Sequence, residues 1–139
     1  MLKPYIHKVH YYETDKMGIT HHSNYIRWME EARADWMEQV GFSYTKMEEM
    51  GVFSPVVNIE CNFVNTTTFN DEVEIQVNMI QYTGVRLVVE YVMKKQDKVV
   101  LTGKSTHCFL NKDYRPSRLK QLCPQFDEIL TNLLKKQNS

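Results

Sequence analysis

The sequence predicts an α+β fold in which a five-stranded antiparallel sheet wraps around one long helix, with a further helix at the C-terminus. Three observations carry this. Residues 57–63 and 73–79 alternate apolar with polar side chains, the period-two mark of strands with one buried face. Tyr25, Trp28, Met29, Ala32, Trp36, Met37 and Val40 recur at helical spacing and stop at Gly41, a natural helix terminus. The order strand, long helix, four strands, terminal helix, with short polar connections, favours an antiparallel meander.

Taken in order, residues 5–12 read as the first strand, because Tyr5, His7, Val9 and Tyr11 alternate with Ile6, Lys8, His10 and Tyr12. Its end delivers Asp15. Gly18 permits a positive φ or a close backbone approach, and Ser23 or Asn24 can cap the helix spanning 24–40. A shorter helix over 43–50 ends at Gly51. After the strand at 57–63, Asn70-Asp71 marks a turn, and Val73, Ile75, Val77 and Met79 form the inner face of the next strand. Thr83-Gly84 turns the chain into strands at 85–93 and 99–110, separated by the polar residues 94–98. Pro116 ends the last strand, and Leu119, Leu122, Phe126, Ile129, Leu130, Leu133 and Leu134 give one amphipathic helix at about 117–136, fraying towards Ser139. No internal repeat or low-complexity linker interrupts this order.

The length of 139 residues suits a single domain, with a core at about 5–112. Hydrophobic residues at 42% against 24% charged exclude a disordered chain. Lys plus Arg and Asp plus Glu balance at 17 each, so no global basic field favours nucleic acid. Cys61, Cys108 and Cys123 are odd in number and widely spaced, which reads as reduced thiols of a cytoplasmic protein. The first residues lack the apolar run of a signal peptide, and no membrane span is expected. A sheet around one helix leaves an edge and an apolar face to bury, so a homodimer or homotetramer is expected.

The chemistry concentrates at residues 12–33. A carboxylate, Asp15, precedes a glycine and then a helix start, where unsatisfied N–H groups and the helix dipole favour negative charge. Acid and electrophilic clamp then face one small volume, as attack on an acyl carbon requires. Asp15 in a Thr-Asp-x-x-Gly context can equally be a turn or cap aspartate. His21 and His22 raise a metal reading, yet adjacent histidines diverge on a helix and no Glu-x-x-His or His-x-x-x-His pattern supports them; no metal or cofactor is expected. The better use of His22 is its backbone N–H. Glu31 and Arg33 read as a surface ion pair or helix-end contact, and Tyr25, Trp28 and Trp36 as core. Arg86, Lys104, Lys112, Arg115 and Arg118 are candidates for phosphate contacts or simply a solvated surface. Two function classes stay open: an enzyme that attacks an acyl carbon, and a non-catalytic acyl-binding or scaffold dimer.

The run Tyr12-Glu13-Thr14-Asp15-x-x-Gly18-x-x-x-His22-x-Asn24-Tyr25-x-x-Trp28-x-Glu30-x-Ala32-Arg33 resembles the signature of the 4-hydroxybenzoyl-CoA thioesterase-like branch of hot-dog-fold acyl-CoA thioesterases, which includes the Tol-Pal-associated enzymes. The resemblance runs from Tyr5 to about Leu110. It implies that Asp15 is the catalytic carboxylate, that the His22 N–H polarises the thioester carbonyl, and that the site forms between two subunits. Gly18, Ser23, Asn24, Tyr25 and Arg86 complete the candidate substrate-binding set, for an acyl-CoA or acyl-carrier-protein thioester. His21 stands where many relatives carry an aromatic residue and Met17 where others carry a smaller one; these departures bear on substrate shape.

Overall fold

A computed structural model describes residues 2–137. The strands are β1 (Tyr5–Lys8), β2 (Val56–Phe63), β3 (Glu72–Tyr82), β4 (Arg86–Lys95) and β5 (Lys98–Cys108); the helices are α1 (Ser23–Val40), α2 (Tyr44–Glu49), α3 (Leu119–Leu122) and α4 (Pro124–Gln137). All pairings are antiparallel in the order β1-β3-β4-β5-β2. Only β3, β4 and β5 form the expected meander. Strand β2 crosses to the far edge and pairs with β5, so the 64–71 connection has to traverse the fold.

The inner sheet face is built from cross-strand pairs. Leu87 faces His107, Val89 faces Ser105, Tyr91 faces Gly103 and Met93 faces Leu101, all buried. Helix α1 lies against this face, and Trp28, Met29, Ala32, Trp36 and Met37 are all buried. Gly103 is required by close approach: a Cβ there would lie 2.8 Å from the Glu60 carbonyl oxygen and 3.4 Å from Met29 Cε.

Four expectations need correction. The first strand stops at Lys8, and Tyr11–Glu13 forms a single 3-10 turn, because the Glu13 carboxylate accepts the His10 N–H and draws the chain out of line. The terminal helix is broken in two between Leu122 and Pro124. Pro124 offers no N–H and disfavours helical geometry at Cys123, which sits at φ −152°, ψ 88°. The expected inner face of β2 is covered only at its middle. Ile59 and Cys61 are half-buried, whereas Val57 and Phe63 are each 56% exposed. The fraying expected from Lys135 onward is absent at Lys135, Lys136 and Gln137, which belong to α4; Asn138 and Ser139 lie outside the described residues.

Candidate active site

Residues 13–21 form a tight hairpin that presents Asp15. His21 N–H donates to the Glu13 carbonyl (2.9 Å), Thr14 and Thr20 bridge, and Asp15 N–H donates to Ile19 O (2.8 Å). Gly18 N–H closes the tip onto Asp15 O (2.9 Å), and Gly18 holds φ at 81°, where a side chain would be strained. Asp15 Oδ1 accepts the Met17 N–H (2.8 Å), an Asx turn; Oδ2 has no hydrogen bond among the described residues. Asp15 is half-buried, so the free oxygen belongs to a carboxylate fixed by its own turn.

The hairpin is anchored from below by the 64–71 connection. Thr67, 1% exposed, accepts the Thr20 N–H on its carbonyl (2.9 Å) and bonds the Thr20 and Tyr25 hydroxyls through Oγ1 (2.6 and 3.1 Å). Thr68 Oγ1 donates to Gly18 O (2.7 Å). The crossover of β2 therefore places a hydroxyl-rich segment under the loop that carries Asp15. Sequence reasoning passed over this segment, although its run Thr66-Thr67-Thr68 was a visible cluster of hydroxyls.

At the start of α1 the cap differs from expectation. His22 is the N-cap residue, at φ −56° and ψ −28°, with no side-chain cap bond, so neither Ser23 nor Asn24 caps the helix. The His21 ring does that work instead: its Nδ1 accepts the Ser23 N–H (3.2 Å) and bonds Ser23 Oγ (2.9 Å). Asn24 Nδ2 donates to the Glu13 carbonyl (2.9 Å), tying helix to hairpin. Because His21 and His22 precede the helix, their rings stack at 4.4 Å rather than diverge. Asn24 and Tyr25 donate their N–H groups to His21 O and His22 O, and the His22 N–H itself makes no hydrogen bond among the described residues.

Glu13, absent from the candidate set above, holds the arrangement together. Its side chain is buried and accepts from His7 Nε2 (2.9 Å), the His10 N–H (2.8 Å) and Trp28 Nε1 (2.7 Å). Burial pushes its pKa up, but these hydrogen bonds outweigh that and hold it below the ordinary carboxylate value. Its position within the motif was the available signal. His7, His10 and Glu13 are the one grouping among the described residues whose donor atoms could hold a metal, lying within 4.8 Å of one another. Glu13 Oε1 already accepts two N–H groups there.

A second buried polar chain runs through the core. Arg33, expected at the surface, is 9% exposed; its Nε donates to Tyr44 OH (2.6 Å) and its Nη1 lies 3.2 Å from His107 Nε2. Ser105 Oγ lies between His107 Nε2 (2.8 Å) and Tyr91 OH (2.7 Å). Burial first, then the Arg33 charge, push the His107 pKa down to about 4 against the opposing pull of the Ser54 backbone, so the ring is neutral.

Of the candidate residues, Asp15, Ser23 and Asn24 line one broad open depression with Tyr11, Tyr12, Thr14, Lys16, His21 and Arg27, of about 940 Å³. His22 lies between two of its wall residues and Gly18 closes the adjacent turn. Tyr25, 4% exposed and bonded to Thr67, is core. Arg86 opens β4 opposite Cys108 and does not line this depression.

The antiparallel sheet thus carries a central helix whose start borders the same depression as the Asp15 hairpin. Residues 9–133 match the thioesterase-like superfamily, and the chain belongs to it. By class it is a thioester hydrolase with the α+β hot-dog architecture. The chain is 34% identical over 106 residues to an Aquifex aeolicus protein named as an esterase, covering 76% of this chain and 83% of that one. It is 30% identical over 121 residues to the Bacillus subtilis protein named "Putative acyl-CoA thioesterase YneP", covering 86% and 88%. The solved structure of a DHNA-CoA thioesterase from Staphylococcus aureus superposes with a TM-score of 0.94 at 29% identity, covering 98% of this chain and 93% of that one.

Proposed function

We propose that the protein hydrolyses an acyl-CoA thioester to the free acid and CoA, with Asp15 as nucleophile or general base and the His22 N–H as oxyanion donor. One observation carries this reading. Among the described residues neither Asp15 Oδ2, on the hairpin, nor the His22 N–H, at the helix start, makes a hydrogen bond, so both are available to a substrate. On the general-base route, Asp15 takes a proton from water as the water oxygen bonds the acyl carbon. The carbonyl oxygen gains charge against the His22 N–H and the α1 dipole, the C–S bond breaks, and the thiolate leaves with the sulfur electron pair. On the nucleophilic route, Oδ2 attacks first and water then hydrolyses the mixed anhydride.

The motif from Tyr12 to Arg33 supports placement in the 4-hydroxybenzoyl-CoA thioesterase-like branch. Three free cysteines support a reducing, cytoplasmic setting. The unpaired β2 edge supports a homodimer or homotetramer. A panel of aliphatic and aromatic acyl-CoA thioesters, followed by thiol release, tests the activity. Turnover of at least one member, abolished in Asp15→Asn, is the expected result. Acyl-CoA binding without thiol release across the panel would favour the non-catalytic acyl-binding reading. Release only from acyl-carrier-protein thioesters would move the substrate to that carrier.

A further inference from the structure

We propose that the Asp15 depression also receives the nucleotide end of the carrier, with Lys16 and Arg27 binding its phosphates and Tyr12 stacking its purine base. This rests on the acyl-CoA reading and adds to it where the carrier lies. The depression is larger than a thioester group needs, and besides Asp15 its lining carries two cations and two tyrosines. Lys16 follows Asp15 directly. Arg27 stands one helical turn beyond Ser23 on α1, so both cations border the same opening. Both are exposed, and among the described residues neither makes an ion pair or a side-chain hydrogen bond. Among the described residues Asp15 is the only acid lining the depression, against the cations Lys16 and Arg27, so the lining is net positive. Phosphate groups are the ligands such a pair recognises, Arg by its planar fork and Lys as a point charge.

Tyr12 supplies the second half of the argument. It is 80% exposed, yet its ring is held in place by stacking on His10, at 5.1 Å with the planes 5° apart. One face is thereby fixed and the other left open, as a base-stacking platform requires. Tyr11 is held edge-on against Phe69 at 5.7 Å, so it borders the platform and does not compete for it. An acidic carrier protein would also meet Lys16 and Arg27, but it would leave the fixed tyrosine face unused. The paired cations and the open tyrosine face together favour a nucleotide. Arg86, the cation singled out by sequence, does not line this depression.

The test compares one acyl group on three carriers: CoA, N-acetylcysteamine, which lacks the nucleotide, and acyl carrier protein. For K16A/R27A we expect KM for the CoA thioester to rise about tenfold or more, with kcat within about twofold. Tyr12→Ala should raise it about fivefold. The N-acetylcysteamine thioester should respond by less than about twofold in both variants. The wild-type KM for the CoA thioester should also rise with salt while that of the truncated substrate stays flat. Equal effects on CoA and truncated substrates, or none on CoA, would overturn the proposal. A KM increase confined to the carrier-protein thioester would assign the cations to a protein partner and overturn it too. Calorimetric titration of 3′,5′-ADP into wild type and K16A/R27A reads the same site without turnover. Binding lost in the variant supports the site even if Asp15 proves non-catalytic, and no binding to wild type rejects it.

Discussion

Asp15 divides its carboxylate between two tasks: Oδ1 holds the turn through the Met17 N–H, and Oδ2 is free. Asp15→Asn keeps an acceptor for that N–H but removes the negative charge, so the fold should persist while kcat/KM falls by at least about a hundredfold. Circular dichroism and thiol release check the two halves. Retention of more than about a tenth of the activity, a loss of only ~1.4 kcal/mol, would mean that Asp15 serves the turn alone. His22 allows a cleaner separation of main chain from side chain. Its φ of −56° suits proline, and its N–H bonds nothing in the described residues, so His22→Pro deletes an oxyanion donor without breaking a structural hydrogen bond. We expect kcat to fall ~10²–10³-fold for His22→Pro and much less for His22→Ala. Equal losses would assign the chemistry to the imidazole.

At the level of elements, two buried polar clusters fasten the helix to its surroundings, and both carry a pH signature. Glu13 ties β1, the 3-10 turn and α1 together, and its folded pKa lies below the unfolded value. Its stabilisation is therefore present above the ordinary carboxylate range and lost as pH falls through the folded value. His107 works in the same sense. With a pKa of about 4 in the fold and 6.5 unfolded, the unfolded chain binds the extra proton between these values, so stability rises with pH across that window. Acidifying from neutral to pH 4 should cost about 3 kcal/mol from His107 alone. Urea titrations at pH 7.5, 5.5 and 4.5 read this slope. His107→Gln keeps a polar partner for Ser105 and Arg33 and should flatten the slope between pH 6.5 and 4; an unchanged slope would show that His107 does not set it.

For the molecule as a whole, β2 is the unresolved surface in energetic terms. Among the described residues its outer edge has no strand partner, and Val57 and Phe63 expose apolar side chains on the face that elsewhere packs on α1. Edge N–H and C=O groups beside apolar side chains are a template for another strand, and a second copy of β2 satisfies both needs. Sedimentation at micromolar concentration should give a dimer or tetramer. Phe63→Asp should shift it towards monomer and reduce thiol release in parallel. A fully active wild-type monomer would remove the two-subunit site.

Patterns that depend on neighbours in sequence were legible without coordinates. The stripe from Tyr25 to Val40, stopped by Gly41, defined α1, and the alternation at 73–79 defined β3, because periodicity alone fixes which side chains share a face. The carboxylate, glycine and helix start at Asp15, Gly18 and His22 were likewise local, and they fall in one hairpin and helix start. Tertiary structure decided the rest. Strand order put β2 beside β5 and carried Thr67 beneath the hairpin; no local rule pairs residues so far apart in the chain. Glu13 became a buried clamp, and the first strand stopped short, because His7 and Trp28 converge on it only when β1 meets α1. Arg33 looked like surface because charge favours water, yet it is buried because Tyr44 and His107, brought in by α2 and β5, supply the hydrogen bonds that make its desolvation tolerable.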